Sequence, residues 1–102
     1  MPAMHETNLD GRVAIVTGSG QNIGAAIARR LAEAGAAVVV NGQTSRENVE
    51  RTVSEIREAG GRAVGIMADV SDPEDVGRLV AEANAAFGPV DINATTGEGA
   101  PS

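Results

Sequence analysis

The chain has 102 residues, and its eight basic side chains, all Arg, stand against fourteen acids for a formal net charge of -6. That length supports one domain at most, burying roughly 60 to 70% of the surface of the unfolded chain. The negative balance offers no basic stripe to nucleic acid or to an anionic membrane, and a chain with no Cys and a single His5 in a polar leader offers no disulfide and no metal site.

Residues 1–10 contain neither a basic nor an apolar block of the kind a signal peptide needs, and no stretch of 18 apolar residues occurs anywhere. We therefore expect a flexible leader over residues 1–10 and a cytoplasmic location. Phe87 is the one aromatic residue, so any core must be built from Val, Ile, Leu and Ala.

From residue 11 to residue 92, apolar runs of strand length alternate with segments of helical period, which predicts βαβ units and a parallel sheet. The first strand is expected over residues 13–16. A helix over residues 23–34 follows, with Ile23, Ile27 and Leu31 on its inner stripe and Gly35 at its end. Residues 37–40 are apolar throughout, as in a strand covered on both faces.

Thr44 and Glu47 have capping-box spacing before a helix that turns Val49, Val53 and Ile56 inward, with a solvated Glu47–Arg51 pair outside, and that ends at Gly60 and Gly61. A third strand is expected over residues 62–68. Ser71 with Glu74, and Pro73 at the first helical position, then open a helix carrying Val76, Leu79, Val80 and Ala83 as far as Phe87 and Gly88. A short strand over residues 90–92 follows, and residues 93–102 show no apolar period, which predicts a disordered tail.

Right-handed crossovers place the first two helices on one face of the sheet and the third on the other, giving strand order 3-2-1-4. Strand four is then an exposed edge, and one face has a single helix, so self-association is expected.

The turn after strand one has the physical form of a dinucleotide site. It follows a buried strand and opens a helix, where free N–H groups and the helix dipole favour a pyrophosphate. Gly18 can make the tight turn, and Gly24 can let helix and strand approach closely.

The run Thr17-Gly18-Ser19-Gly20-Gln21-Asn22-Ile23-Gly24 resembles the Thr-Gly-x-x-x-Gly-x-Gly fingerprint of short-chain dehydrogenases/reductases, with Asn22, a residue that tolerates left-handed backbone, in place of the middle Gly. The resemblance extends over about residues 9–92, is to the 3-oxoacyl-ACP reductase-like members, and implies a Rossmann-like α/β fold that binds NAD(P). It implies that Asp69 contacts the adenine amino group and that Val70 packs on the ring. Where an acid at the end of strand two would select NAD, the chain has Asn41, Gly42 and Gln43, which leaves room for a 2′-phosphate within reach of Arg46. NADP is therefore expected over NAD, weakly bound.

The resemblance also implies a catalytic Ser and a Tyr-x-x-x-Lys pair, in which the Tyr phenol moves the substrate proton and the Lys lowers its pKa. The chain contains no Tyr and no Lys, so no catalytic residue is assigned. Back-translating residues 94–102 and reading from each third codon base permits Asn-Asn-Gly-Gly at the family's spacing from Ile92. The expectation is a domain truncated after its fourth strand, with residues 93–102 a frameshifted read-through. Three functional readings stay open: the nucleotide-binding portion of an oxidoreductase, inactive alone; a nucleotide-binding module completed by another chain; and a non-catalytic interaction protein.

Overall fold

In the computed structural model residues 9–18 and 22–95 are described. Four parallel strands form one sheet: β1 (Val13–Thr17), β2 (Ala37–Gly42), β3 (Arg62–Met67) and β4 (Ile92–Thr95). Their spatial order is β3-β2-β1-β4, the order expected. The intervening helices are α1 (Asn22–Glu33), α2 (Arg46–Glu58) and α3 (Pro73–Phe87).

The strand period sorts the core into two layers. Ala14, Val16, Val38 and Val40 pack with Ala28 and Ala32 of α1 and with Val49, Val53 and Ile56 of α2. Ile15, Val39 and Ile66 face the other way and pack with Leu79 and Ala83 of α3. Both faces of β1 and β2 are thus covered, so their apolar runs are continuous rather than alternating.

Helix α1 keeps Ile27 and Leu31 of its expected inner stripe against the core but not Ile23. Ile23 is 62% exposed, and the buried residues are Gly24, Ala25, Ala28 and Ala32, with Ile27 and Leu31 half-buried. Laying the smallest side chains on the sheet brings the helix closest to it, which rotates Ile23 outward.

Both α1 and α2 end in the same way. Ala36 N–H donates to Leu31 and Gly35 N–H to Ala32, while Gly61 N–H donates to Ile56 and Gly60 N–H to Arg57. Gly35 and Gly60 have φ of 110° and 95°, the left-handed conformation that this motif requires.

The helix starts depart from expectation by one residue each. Ser45, not Thr44, accepts from Asn48 N–H at 3.3 Å, and Asp72, not Ser71, accepts from Glu74 N–H at 3.0 Å. Along α2 the ion pair formed is Arg46–Glu50 at 3.6 Å, and no Glu47–Arg51 pair occurs among the described residues. Arg29 of α1 meets Glu55 of α2 at 3.0 Å, an exposed pair worth about 0–1 kcal/mol.

The boundaries also shift. Leu9 packs on the core and its N–H donates to the Ala34 carbonyl at 2.7 Å, so the end of the expected leader belongs to the fold. Strand β4 begins at Ile92 rather than ending there, because Asp91 is tied to the start of β1. Its N–H donates to the Val13 carbonyl at 2.8 Å, and its Oδ2 accepts from Val13 N–H at 3.0 Å. The strand therefore runs into the expected tail, of which residues 96–102 lie outside the described residues, as do residues 1–8 of the leader.

The outer edge of β3 is closed by side chains. In the register that pairs Gly42 with Met67, residues 63, 65 and 67 point their carbonyls away from β2. Arg57 Nε donates to the Ala63 carbonyl at 3.0 Å and Arg78 donates to that of Met67 at 2.8 Å. Two guanidiniums thus occupy acceptors that a second strand would need. No helix among the described residues is long and apolar enough to cross a membrane.

A Cβ built on Gly65 would stand 2.6 Å from Val49 Cγ1, whereas one on Gly77 would meet nothing within 4 Å. Gly65→Ala should therefore destabilise the chain by about 1–3 kcal/mol through overpacking against α2. Gly77→Ala, inside α3, should stabilise it by about 0.5–1 kcal/mol. Urea denaturation of both variants checks the opposite signs.

Candidate functional site

The first polar side chains after the buried runs of β1 and β2, Thr17 and Asn41, occur at the C-terminal edge of the sheet, and the loop after β3 opens at the same edge. Strand order reverses between β1 and β4, and in open α/β sheets that edge, at that reversal, is where ligands bind.

Gly18 leaves β1 with φ of 66°, a conformation that a side chain disfavours. Helix α1 begins at Asn22, and its first turn directs free backbone N–H groups to this edge. Ile23 stands exposed beside it, and Gly24 is buried against the sheet. Ser19, Gly20 and Gln21 of the fingerprint lie outside the described residues.

Asn41 is only 2% exposed, and its side chain is bonded within the fold. Its Oδ1 accepts from Gly18 N–H at 3.2 Å. Its Nδ2 donates to the carbonyls of Ile66 at 3.1 Å and Ala68 at 3.3 Å, with a longer contact of 3.4 Å to Gly42. Asn41, expected among the cofactor-binding residues, braces the β1 turn against the end of β3. Gly18 correspondingly gives its N–H to Asn41 and contributes conformation to the turn.

The next position, Gly42, has no room for a side chain, because a Cβ there would run into Val49 Cγ2 of α2. An acid at this point of β2 would require Val49 to shift. Arg46, at the start of α2, is exposed and, among the described residues, is paired only with Glu50.

The loop after β3 is fixed from within. Asp69 Oδ1 accepts from the Ser71 hydroxyl at 2.6 Å and from Ser71 N–H at 2.9 Å, while Asp69 N–H donates to Asp75 Oδ2 of α3 at 2.9 Å. The Ser71 hydroxyl is the largest influence holding the Asp69 carboxyl below its ordinary value of 3.8, followed by the Ser71 N–H, with slight burial acting the other way. Asp69 is therefore ionised at neutral pH, and its Oδ2 accepts no hydrogen bond among the described residues. Val70 is half-buried and packs on the α3 layer of the core.

The structure thus brings Thr17, Gly18, Ile23, Gly24, Asn41, Asp69 and Val70 to one edge and gives Asn41 an inward role. Sequence reasoning missed Asp75 and Ser71 as anchors of the loop, although an Asp two residues before a Ser is the signal of a local side-chain turn. A cleft of about 290 Å³ lined by Arg29, Gly35, Glu55 and Gly61 lies at the opposite edge, beside the strand starts, and is separate from this arrangement. Among the described residues, no group of three or more His, Cys, Asp or Glu is placed to hold a metal.

Residues 12–100 match the family model described as short chain dehydrogenase. Versicolorin reductase 1 of Aspergillus parasiticus is 54% identical over 84 residues, 82% of this chain and 32% of that protein. A probable tetrahydroxynaphthalene reductase of Zymoseptoria tritici is 46% identical over 91 residues, 89% of this chain and 34% of its own length. Among solved structures, a dehydrogenase/reductase from Sinorhizobium meliloti superposes with a TM-score of 0.88 at 43% identity, covering 93% of this chain and 38% of the other. The chain spans about a third of the length of the curated relatives it matches.

The folded-state pKa of Asp69 is depressed, so its tie to Ser71 is complete at pH values above 3.8 and is lost as pH falls through the lower folded value. A carboxyl-detected NMR titration should place Asp69 below 3.8 in the unaltered chain. Ser71→Ala, which removes the largest cause, should move that midpoint upward.

Proposed function

Since the chain belongs to the short-chain dehydrogenase family, we propose that it is the N-terminal nucleotide-binding portion of a reductase and holds the adenosine and pyrophosphate end of NADP, in preference to NAD. The observation that carries this reading is the meeting, at one strand-end edge, of a left-handed Gly18 turn, a helix N-terminus and an ionised Asp69 with a free acceptor oxygen.

These residues fit such a cofactor. The N–H groups of α1 suit the pyrophosphate, and Asp69 Oδ2 suits the exocyclic amine of adenine. Exposed Ile23 offers apolar surface beside the phosphates. The preference for NADP is supported by the packing of Val49 behind Gly42, which keeps a repelling carboxylate from that point, and by exposed Arg46 at the start of α2. The relatives' names, versicolorin reductase and tetrahydroxynaphthalene reductase, speak for the reducing direction.

The nicotinamide would supply the hydride, and this chain's residues bind and orient the other end of the molecule. With no Tyr and no Lys among 102 residues, the chain holds no phenol and ammonium pair to move the substrate proton. Turnover by the chain alone is not part of the proposal. A cytoplasmic location, where such a cofactor is supplied, is part of it. Pairing with a second copy or with another chain would use β4, because arginines close the outer edge of β3.

Titration calorimetry on the full chain should show NADPH binding with a micromolar to millimolar dissociation constant, about −8 to −4 kcal/mol. Asp69→Ala should weaken it by about tenfold, or ~1.4 kcal/mol. Arg46→Ala should narrow the gap between NADPH and NADH. Absence of any dinucleotide binding at millimolar concentration, or NADPH oxidation above background with carbonyl substrates, would count against the proposal.

A further inference from the structure

The two halves of the proposed site belong to chain segments far apart in sequence, and one buried side chain touches both. Asn41 accepts from Gly18 N–H at the pyrophosphate turn and donates to Ile66 and Ala68 at the end of β3, directly before Asp69. The three partners stand 23, 25 and 27 residues away along the chain. The amide is the one side-chain type of this size that can do this, since it offers an acceptor on one side and two donors on the other. A carboxylate would face the two β3 carbonyls with no proton to give, and an apolar isostere would leave all three backbone groups without this partner.

Resting on the nucleotide-binding reading above, we propose that Asn41 is a positioning residue that fixes the distance between the pyrophosphate turn and the adenine loop, so that the dinucleotide meets both halves at their correct separation. Asn41 does this without touching the nucleotide. Its effect falls on ligands long enough to span both halves, because a flexible separation must be narrowed at binding only for them. A ligand confined to the adenine loop is indifferent to where the Gly18 turn stands.

The experiment has an arm that needs no cofactor. Amide hydrogen exchange of the full chain by NMR should show the Gly18 amide and the Asn41 side-chain amide protected, and exchanging together. Rapid exchange of the Asn41 amide, as for an exposed side chain, overturns the proposal. In Asn41→Leu, the Gly18, Ala68 and Asp69 amides should all exchange about tenfold faster or more, the ratio one such bond is worth, while Val39 stays protected. In Asn41→Asp, which keeps the acceptor and loses the donors, Gly18 should stay protected and only the β3 end should loosen. Unchanged Gly18 protection in folded Asn41→Leu, or uniform loosening of the whole sheet in both variants, overturns the assignment.

The second arm uses adenosine and NADPH as probes. Both variants should bind adenosine within about twofold of the unaltered chain and NADPH about tenfold more weakly. Equal weakening of both probes is the signature of general damage and refutes the positioning role. If the unaltered chain binds neither probe, the functional proposal fails, and the exchange arm alone still decides whether Asn41 joins the two segments.

Discussion

The constraint on which the rest of this structure depends is that β1 and β2 are buried on both faces. Residues 13–16 and 37–40 have essentially no contact with solvent, so no side chain along them can be polar without a partner. Functional groups are therefore pushed to the strand ends, and because all four strands are parallel their C-terminal ends lie at one edge. Thr17, Asn41 and Asp69 come together there as a consequence of sheet burial, before any ligand is considered.

The same constraint governs how closely the helices must approach. A core with one aromatic residue fills its volume by bringing backbones together, and α1 does so through Gly24, Ala25, Ala28 and Ala32. Helix α2 does so through Val49, seated between Gly42 and Gly65. Close approach aims the N-terminus of α1 at the strand-end edge, and it puts Val49 where a side chain at Gly42 would stand. Close packing at Gly42 is thus also what the proposed preference for NADP draws on.

Much of this was legible in the sequence, for reasons that differ from residue to residue. The strand order and the sides taken by the helices follow from apolar period and crossover handedness, which are properties of whole segments. Helix starts were missed by one residue because Thr44 and Ser45, or Ser71 and Asp72, are neighbours able to cap equally well. The choice falls on whichever has extended backbone, Ser45 with φ −120° and Asp72 with φ −104°. Ile23 departs from the apolar stripe because residue size, more than hydrophobicity, sets the face that α1 lays on the sheet. The role of Asn41 was not legible at all, since its partners are more than twenty residues away, although a lone Asn closing a run of three Val is the trace it leaves.

The proposed reading also separates binding from catalysis. An enzyme accelerates a reaction only through contacts that strengthen on the way to the transition state. Adenine, ribose and pyrophosphate are chemically unchanged when a hydride leaves the nicotinamide, so every contact proposed here, from Asp69 to the N–H groups of α1, would have equal strength in the ground state and in the transition state. In the proposed complex these groups would contribute to affinity and to where the reactive ring is held. Rate must come from groups acting at the ring and at the substrate proton, and a chain without Tyr or Lys lacks the pair that the family's proton chemistry requires.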